Sequence, residues 1–283
     1  MSNGMLNKEF VIYKEGNYEE KWSVKNDFLL IERSGDLITT GDPSKLEIIG
    51  MDKLKNLRGL SLFLFPMKEF FENVELPRSI EFLSLVECFF NGNNIKSLEK
   101  IDNIKSLVIM KPYLAESIIT NRQNYFELKS NYFDLKNFED LNFLEVLRIQ
   151  SANISRIYGL ETFEKLRILD LSNNNISKIE GVYTLVNLEE LWLESNQISK
   201  IEGLDNLLNL KKLSLYNNKI MKIEGLDQLI NLEELFLSNY HIFNEIYINK
   251  ANLQQYFGHL KKLRVLNGQS YPKSKEYLFP RIL

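Results

Sequence analysis

Few side chains in this sequence could do chemistry. Cys88 is the only cysteine, and His241 and His259 are the only histidines among 283 residues. A thiolate needs a neighbouring base or cation to become a nucleophile, and a zinc site needs several sulfur or imidazole donors at short spacing. Neither histidine has a second histidine or a cysteine at such a spacing. There is also no glycine-rich, phosphate-cradling loop ending in Lys-Ser or Lys-Thr. Three Ile-Glu-Gly copies, ending at Gly181, Gly203 and Gly225, look like a glycine motif until their spacing of 22 is noticed. That spacing makes them bend residues of a repeat.

A row of cations is the remaining candidate. Arg156, Lys178, Lys200 and Lys222 recur at the same spacing, as a phosphate track would. Glu180, Glu202 and Glu224 follow two residues later in three of those units. Adjacent opposite charges largely cancel at range, and exposed pairs contribute about 0–1 kcal/mol each. The row reads as a solvated surface ladder. No catalytic set, metal or cofactor is expected, and the chain is expected not to be an enzyme.

These residues hang on a repeat. LEVLRIQSANISRIYGL from Leu144, LRILDLSNNNISKIEGV from Leu166, LEELWLESNQISKIEGL from Leu188 and LKKLSLYNNKIMKIEGL from Leu210 align without gaps at a period of 22. LEELFLSNYHI from Leu232 continues the register and then breaks it. Apolar residues fall at positions 1, 4, 6, 11, 14, 17 and 20, which in one unit are Leu188, Leu191, Leu193, Ile198, Ile201, Leu204 and Leu207. The 4–6 spacing is a strand period, and the later every-third spacing suits a tight 3-10-like turn. Position 9 is Asn174, Asn196 and Asn218, an amide able both to donate to and to accept from a neighbouring coil's backbone.

The motif resembles the leucine-rich repeat, in the 22-residue class typified by the protein phosphatase 1 regulatory subunit. The resemblance covers roughly residues 46–271 and implies an α/β solenoid with a parallel concave sheet and a 3-10 or loop convex side. Upstream units are irregular: LRGLSL from Leu57, IEFLSL from Ile80 and IKSLVI from Ile104, with a further unit around Asn131. Cys88 takes position 9 of the Ile80 unit, a substitution that the family tolerates. Pro112 and Ala152 take that position in two other units and leave the ladder imperfect there.

A repeat stack needs polar end covers. Residues 1–45 read as a β-rich N-terminal cap or small module, with a hairpin around Gly16-Asn17, two further strands around Ser34-Gly35, and Trp22 packed inside. Repeats are expected over 46–240, irregular to about 143 and regular from 144, and a helical C-terminal cap over 241–283. The family's cap pattern ends in Leu-Asp-Gly. Here Leu266-Asn267-Gly268 stands in its place, without the aspartate's charge.

Composition narrows the function. The formal charge is −3, from 35 basic and 38 acidic residues, which argues against direct nucleic-acid binding. A single cysteine, no signal-like N-terminus and no long apolar run point to an intracellular protein, cytoplasmic or nuclear, away from membranes.

Positions 3, 5, 7 and 8 of each strand face outward, opposite the core positions. Position 5 reads Arg148, Asp170, Trp192, Ser214 and Phe236, with Tyr216 at position 7. Glu190, Glu194 and Glu234 border these aromatics. Clustered exposed aromatics ringed by polar residues mark interaction sites. All eight of Trp192, Tyr216, Phe236, Glu190, Glu194, Glu234, Asp170 and Arg148 are therefore expected to meet a protein partner, by family resemblance a phosphatase among others. Phe63, Phe82, Val86, Val108 and Met110 form a second patch, readable as surface or as core. Two alternatives stand beside this reading: a ribonucleoprotein component similar to the leucine-rich A-prime subunit of a spliceosomal particle, and an enzyme with its site in the N-terminal module.

Overall fold

The computed structural model describes residues 10–33, 43–90, 103–114, 135–237, 256–267 and 269–270. They belong to two compact units, Met1–Asn131 and Tyr132–Leu283. The Ser34-Gly35 turn, the unit around Asn131, His241 and Gly268 lie outside the described residues.

The first unit opens with a hairpin. β1 (Phe10–Glu15) and β2 (Tyr18–Ser23) pair antiparallel across Gly16, which sits at φ 60°. β3 (Phe28–Glu32) leaves the hairpin, and β4 (Leu46–Ile49) returns to pair antiparallel with β1. β5 (Gly59–Phe63), β6 (Phe82–Val86) and β8 (Ser106–Met110) continue from β3 as a parallel sheet. On another side of these coils, β7 (Phe89–Phe90) pairs in parallel with β9 (Tyr113–Leu114), and a short helix, Met67–Asn73, buries Met67, Phe70 and Phe71.

Two elements differ from the sequence expectation. β3, read as part of the cap, is a repeat strand: Leu29 and Ile31 align with Leu60 and Leu62 and are buried like them. The motif hides it because Asn26 occupies position 1, where the turn residues Asn26 and Asp27 adopt positive φ. Conversely β4, read as the start of the repeats, closes the cap sheet. A buried ion pair fixes the two parts together. Arg33, just beyond β3, donates from Nε and Nη2 to both oxygens of Glu15 on β1, at 2.7 and 2.6 Å. The Tyr13 hydroxyl donates to the same carboxylate, and burial followed by that carboxylate pushes the phenol pKa well above its ordinary value.

In the second unit the period becomes geometry. β10 (Val146–Gln150), β11 (Ile168–Asp170), β12 (Glu190–Trp192), β13 (Lys212–Leu215), β14 (Glu234–Leu237) and β15 (Val265–Leu266) run parallel, and β16 (Gln269–Ser270) turns back antiparallel. Register is kept throughout, so Leu147, Leu169, Leu191, Leu213 and Leu235 stack as one buried row. Behind the strands, tight three-residue turn hydrogen bonds repeat at Leu185 to Val182, Leu207 to Leu204 and Leu229 to Leu226. Each strand ends at position 8 in a left-handed bend, at Ser151, Asn173, Ser195 and Asn217.

Coils are joined by the position-9 amides. Asn196 accepts the Ile176 N–H at 2.9 Å and donates to the carbonyls of Leu171 and Leu193 at 3.0 and 3.1 Å. Asn174 and Asn218 make the same set one coil before and one coil after. Asn174 also accepts from Ala152 N–H at 3.0 Å, so the coil with alanine at this position still has its backbone satisfied. Gly181, at φ 69°, approaches the preceding coil so closely that a Cβ would meet the Ile157 carbonyl oxygen at 2.3 Å. Hence glycine there sets the stacking distance.

The end cover uses the same logic. Asn267 Oδ1 accepts the Leu237 N–H at 2.6 Å, a task that needs an acceptor but no charge. Of the expected cap helix, only Tyr256–Phe257 is described as helical, and Phe257, Leu260 and Leu263 are buried.

Asn196→Ala is expected to lower the unfolding free energy in urea by about 1–3 kcal/mol, because buried backbone groups lose their partners. Asn175→Ala, at the exposed neighbour two positions beyond the left-handed bend, should change it by no more than about 0.5 kcal/mol.

Candidate functional site

The outward face of the second unit's sheet carries the residues singled out by sequence. Parallel register places Arg148, Asp170, Trp192, Ser214 and Phe236 side by side across five strands. Trp192 and Phe236 are two strands apart, a separation of about 9.6 Å at the backbone. Their ring centroids are nevertheless 6.3 Å apart and the planes only 21° off parallel. Ser214, between them and wholly buried, is small enough for the two rings to lean together above it.

Polar groups fix this stack from all sides. The Trp192 indole N–H donates to Glu190 at 3.0 Å. Lys212 lies with its ammonium 5.2 Å from the Trp192 ring and 3.0 Å from Glu234. Arg264 also reaches Glu234, at 3.0 Å. Ser214 Oγ donates to Glu194 at 2.5 Å. Glu234 is thus charge-paired, whereas Glu190 and Glu194 accept from neutral donors among the described residues. Lys212, at position 3 beside position 5 of the same strand, is not among the expected contact residues, although the period puts it on the outward face.

Three predicted site residues behave differently. Tyr216 is the most open of the group at 54% exposure, and it stands beyond the stacked pair rather than within it. Asp170 is only 7% exposed, so little of its side chain is open to a partner. Its carboxylate accepts Gln150 Nε2 at 2.5 Å and the Ser172 N–H at 3.0 Å, with Arg148 Nε 4.0 Å away. Gln150 and Arg148 fold over it because an unpaired carboxylate on a sheet is costly to leave without donors. Arg148 and Asp170 therefore form a polar bracket on the strands before Trp192. In the first unit, Phe63, Val86 and Met110 share one outward row, and Phe82 with Val108 lies on the same face, so this second patch is surface rather than core.

The other candidates resolve as structure. Arg156 pairs with Glu180 at 3.0 Å, Lys178 with Glu202 at 3.8 Å and Lys200 with Glu202 at 3.0 Å, so the basic row is bound into an ion ladder. A comparable ladder at position 2, Arg167–Glu189–Lys211, holds the Glu189 carboxyl below its ordinary range, Lys211 contributing most. His259 lies 3.2 Å from the Leu226 carbonyl and acts in the end cover. Cys88 Sγ–H donates to the Leu62 carbonyl at 3.4 Å, filling the ladder position, and burial pushes its thiol pKa up to about 12.

Comparison with known proteins fits this geometry. Residues 164–206 match a family model described as leucine rich repeats in two copies. An internalin (inlF) from Listeria monocytogenes strain 4b F2365 is similar in structure, with TM-score 0.50 and 22% identity over 67% of this chain and 50% of that one. An internalin C2 (inlC2) from the same strain also gives TM-score 0.50 and 22% identity, over 67% of this chain and 74% of that one. No curated protein matches the chain. The fold is a leucine-rich-repeat solenoid. The chain spans half the length of the first internalin, and at this identity the likeness is one of fold. Within the leucine-rich-repeat frame, the outward strand positions are those that the core leaves free to vary, and Trp192, Tyr216 and Phe236 occupy them.

Two outcomes follow. A double-mutant cycle on Trp192→Ala and Phe236→Ala should show a coupling of about 0.5–1.5 kcal/mol in chemical denaturation, the range for a stacked aromatic pair. Cys88 should not react with a disulfide-forming thiol reagent in the native protein near neutral pH, and should react fully once the protein is unfolded; rapid native labelling would contradict its burial.

Proposed function

We propose that this chain is a non-catalytic interaction scaffold or regulatory subunit that holds a protein partner against the outward face of its central repeats. The observation that carries the proposal is the Trp192–Phe236 stack, half-buried above Ser214, with Tyr216 open beside it. Rigid aromatic side chains lose little conformational freedom on binding and are enriched among residues that dominate interface energies. The hydrogen bond to Glu190 and the Lys212 ammonium hold the indole in place before any partner arrives. Less ordering then remains to be done on association.

The charge around the stack favours a partner of basic character. Glu190 and Glu194 accept from neutral donors among the described residues, and Glu234 is shared between Lys212 and Arg264. A cationic partner side chain arriving at the Glu190–Glu194 side meets two carboxylates and an indole face together. Resemblance to the 22-residue class supports the regulatory-subunit reading, with a phosphatase as one partner class. A single, buried free cysteine supports an intracellular location. Among the described residues no helix is long and apolar enough to cross a membrane.

The test is affinity capture with the wild type, the Trp192→Ala/Tyr216→Ala double variant, and Tyr183→Ala as an exposed aromatic control away from this face. Tyr183→Ala should retain the partner, and the double variant should retain less than about a tenth of it, a change of about 1.4 kcal/mol or more. Equal capture by a folded double variant rejects this face. Capture that falls with rising salt further supports the acidic rim.

A further inference from the structure

We propose that the Trp192 indole is a seat for a guanidinium group, filled by Lys212 while the protein stands alone and taken over by an arginine-bearing segment of the partner. This inference rests on the interaction-scaffold reading above and specifies the chemistry of what binds on that face.

The structure already puts a cation at the place in question. Lys212 on β13 lies with its ammonium 5.2 Å from the centroid of the Trp192 ring. A cation over an aromatic face is attracted by the ring's quadrupole, and indole attracts most strongly. Yet Lys212 fills the seat incompletely. Register sets it beside Glu190, but its ammonium pairs on the opposite side, with Glu234 Oε2 at 3.0 Å. Glu190 and Glu194 accept from the Trp192 indole and the Ser214 hydroxyl, and no cation pairs with either among the described residues. Two carboxylates therefore border an indole whose own cation is committed elsewhere.

Lys212 is also a cation that can leave. Arg264 holds the other oxygen of Glu234, Oε1, at 3.0 Å, so Glu234 stays paired when Lys212 swings away. The indole remains tied to Glu190 through its N–H. The ion pair given up is partly exposed, of the kind that contributes little. A guanidinium is the better occupant. It is planar, stacks on aromatic faces, is more weakly hydrated than an ammonium and carries five N–H donors at its edge. Laid on the indole, it can turn those donors to Glu190 and Glu194, which the Lys212 ammonium does not reach. Lys212 thus covers the ring in the free protein and is the competitor that an arriving arginine displaces.

Binding is measured by titration calorimetry on the full chain at low ionic strength, where exposed charges are least screened. The probe is a blocked peptide of alternating arginine and glycine. Its citrulline counterpart replaces each guanidinium by a neutral urea of similar shape, and its lysine counterpart keeps the charge without the plane. The arginine peptide should bind saturably, the citrulline peptide at least about tenfold more weakly, and the lysine peptide at least about threefold more weakly. Trp192→Ala should weaken the arginine peptide at least about threefold. Lys212→Gln, which empties the seat, should bind it about three- to fivefold more tightly. Lys212→Arg, which fills the seat with the better occupant, should bind it at least about threefold more weakly. Lys211→Gln is the control for net charge, because Lys211 shares Glu189 with Arg167 as Lys212 shares Glu234 with Arg264. It should tighten binding less than about twofold. The proposal is overturned by absent saturable binding, by a citrulline or lysine peptide that binds as tightly as the arginine peptide, or by unchanged binding in Trp192→Ala. It is equally overturned if Lys212→Gln gains no more than Lys211→Gln, or if both Lys212 variants bind more weakly, the result for a lysine that only positions the indole. The scaffold reading is decided separately, by capture of the partner with the Trp192→Ala/Tyr216→Ala variant. Circular dichroism confirms folding; if Lys212→Gln unfolds, Lys212→Arg decides, and unchanged or tighter binding there overturns the proposal.

Discussion

Everything in the second unit depends on how buried backbone groups are satisfied where the chain leaves each strand. After position 6 the coil bends away from the sheet, and the N–H and carbonyl groups at that corner face the next coil rather than a strand partner. One asparagine per turn resolves the problem. Asn196 links three backbone positions, the N–H of Ile176 and the carbonyls of Leu171 and Leu193, which lie on two successive coils. Because the link has fixed length, it also fixes the separation of the coils. The glycine contact against the preceding carbonyl and the left-handed bend at position 8 are adjustments to that same separation. A coil of a different length would break all three at once, which is why the period is so strict where asparagine holds the ladder. It relaxes in the first unit, where Cys88 and Pro112 take its place among the described residues.

That constraint decides where function can reside. Positions 1, 4, 6 and 9 are committed to the interior, and the bend positions to turning the chain. Side chains at 3, 5 and 7 carry no stacking duty, yet register delivers them to one surface at regular spacing. Ser214 shows how that surface is tuned. Its small, buried side chain lets Trp192 and Phe236 meet across an intervening strand, and its hydroxyl holds Glu194 beside them. A larger residue at 214 would push the rings apart and leave two isolated aromatics in place of one platform.

Much of this was legible in the sequence, for an identifiable reason. Period, core positions and asparagine ladder are local properties repeated several times, so each copy confirms the others. The order Arg148, Asp170, Trp192, Ser214, Phe236 across the sheet follows from period alone. Legibility failed where a residue's state depends on long-range partners. Asp170 looked like an exposed anion because nothing in its own unit shows that Gln150, one coil earlier, folds over it. β3 was read as a cap strand because Asn26 stands where a leucine would have announced a repeat. A groove beside Trp22 was invisible for the same reason, since it exists only through the meeting of the hairpin with strands from much later in the chain.

The contrast between the two outward faces shows what a repeat scaffold leaves undetermined. In the second unit the aromatic platform is bordered by carboxylates and stiffened by Lys212, a flat and partly charged surface suited to a broad partner. In the first, a hairpin held by the buried Arg33–Glu15 pair stands over the strands and converts the same kind of face into a concavity with lysines at its edge. Stacking physics is common to both and cannot account for the difference. What differs is the cover: where nothing overhangs the strands, exposed rings must stabilise one another, as Trp192 and Phe236 do. Where a second wall is present, Phe28 and Leu30 stay about half exposed beside it and line the concavity instead of stacking on each other.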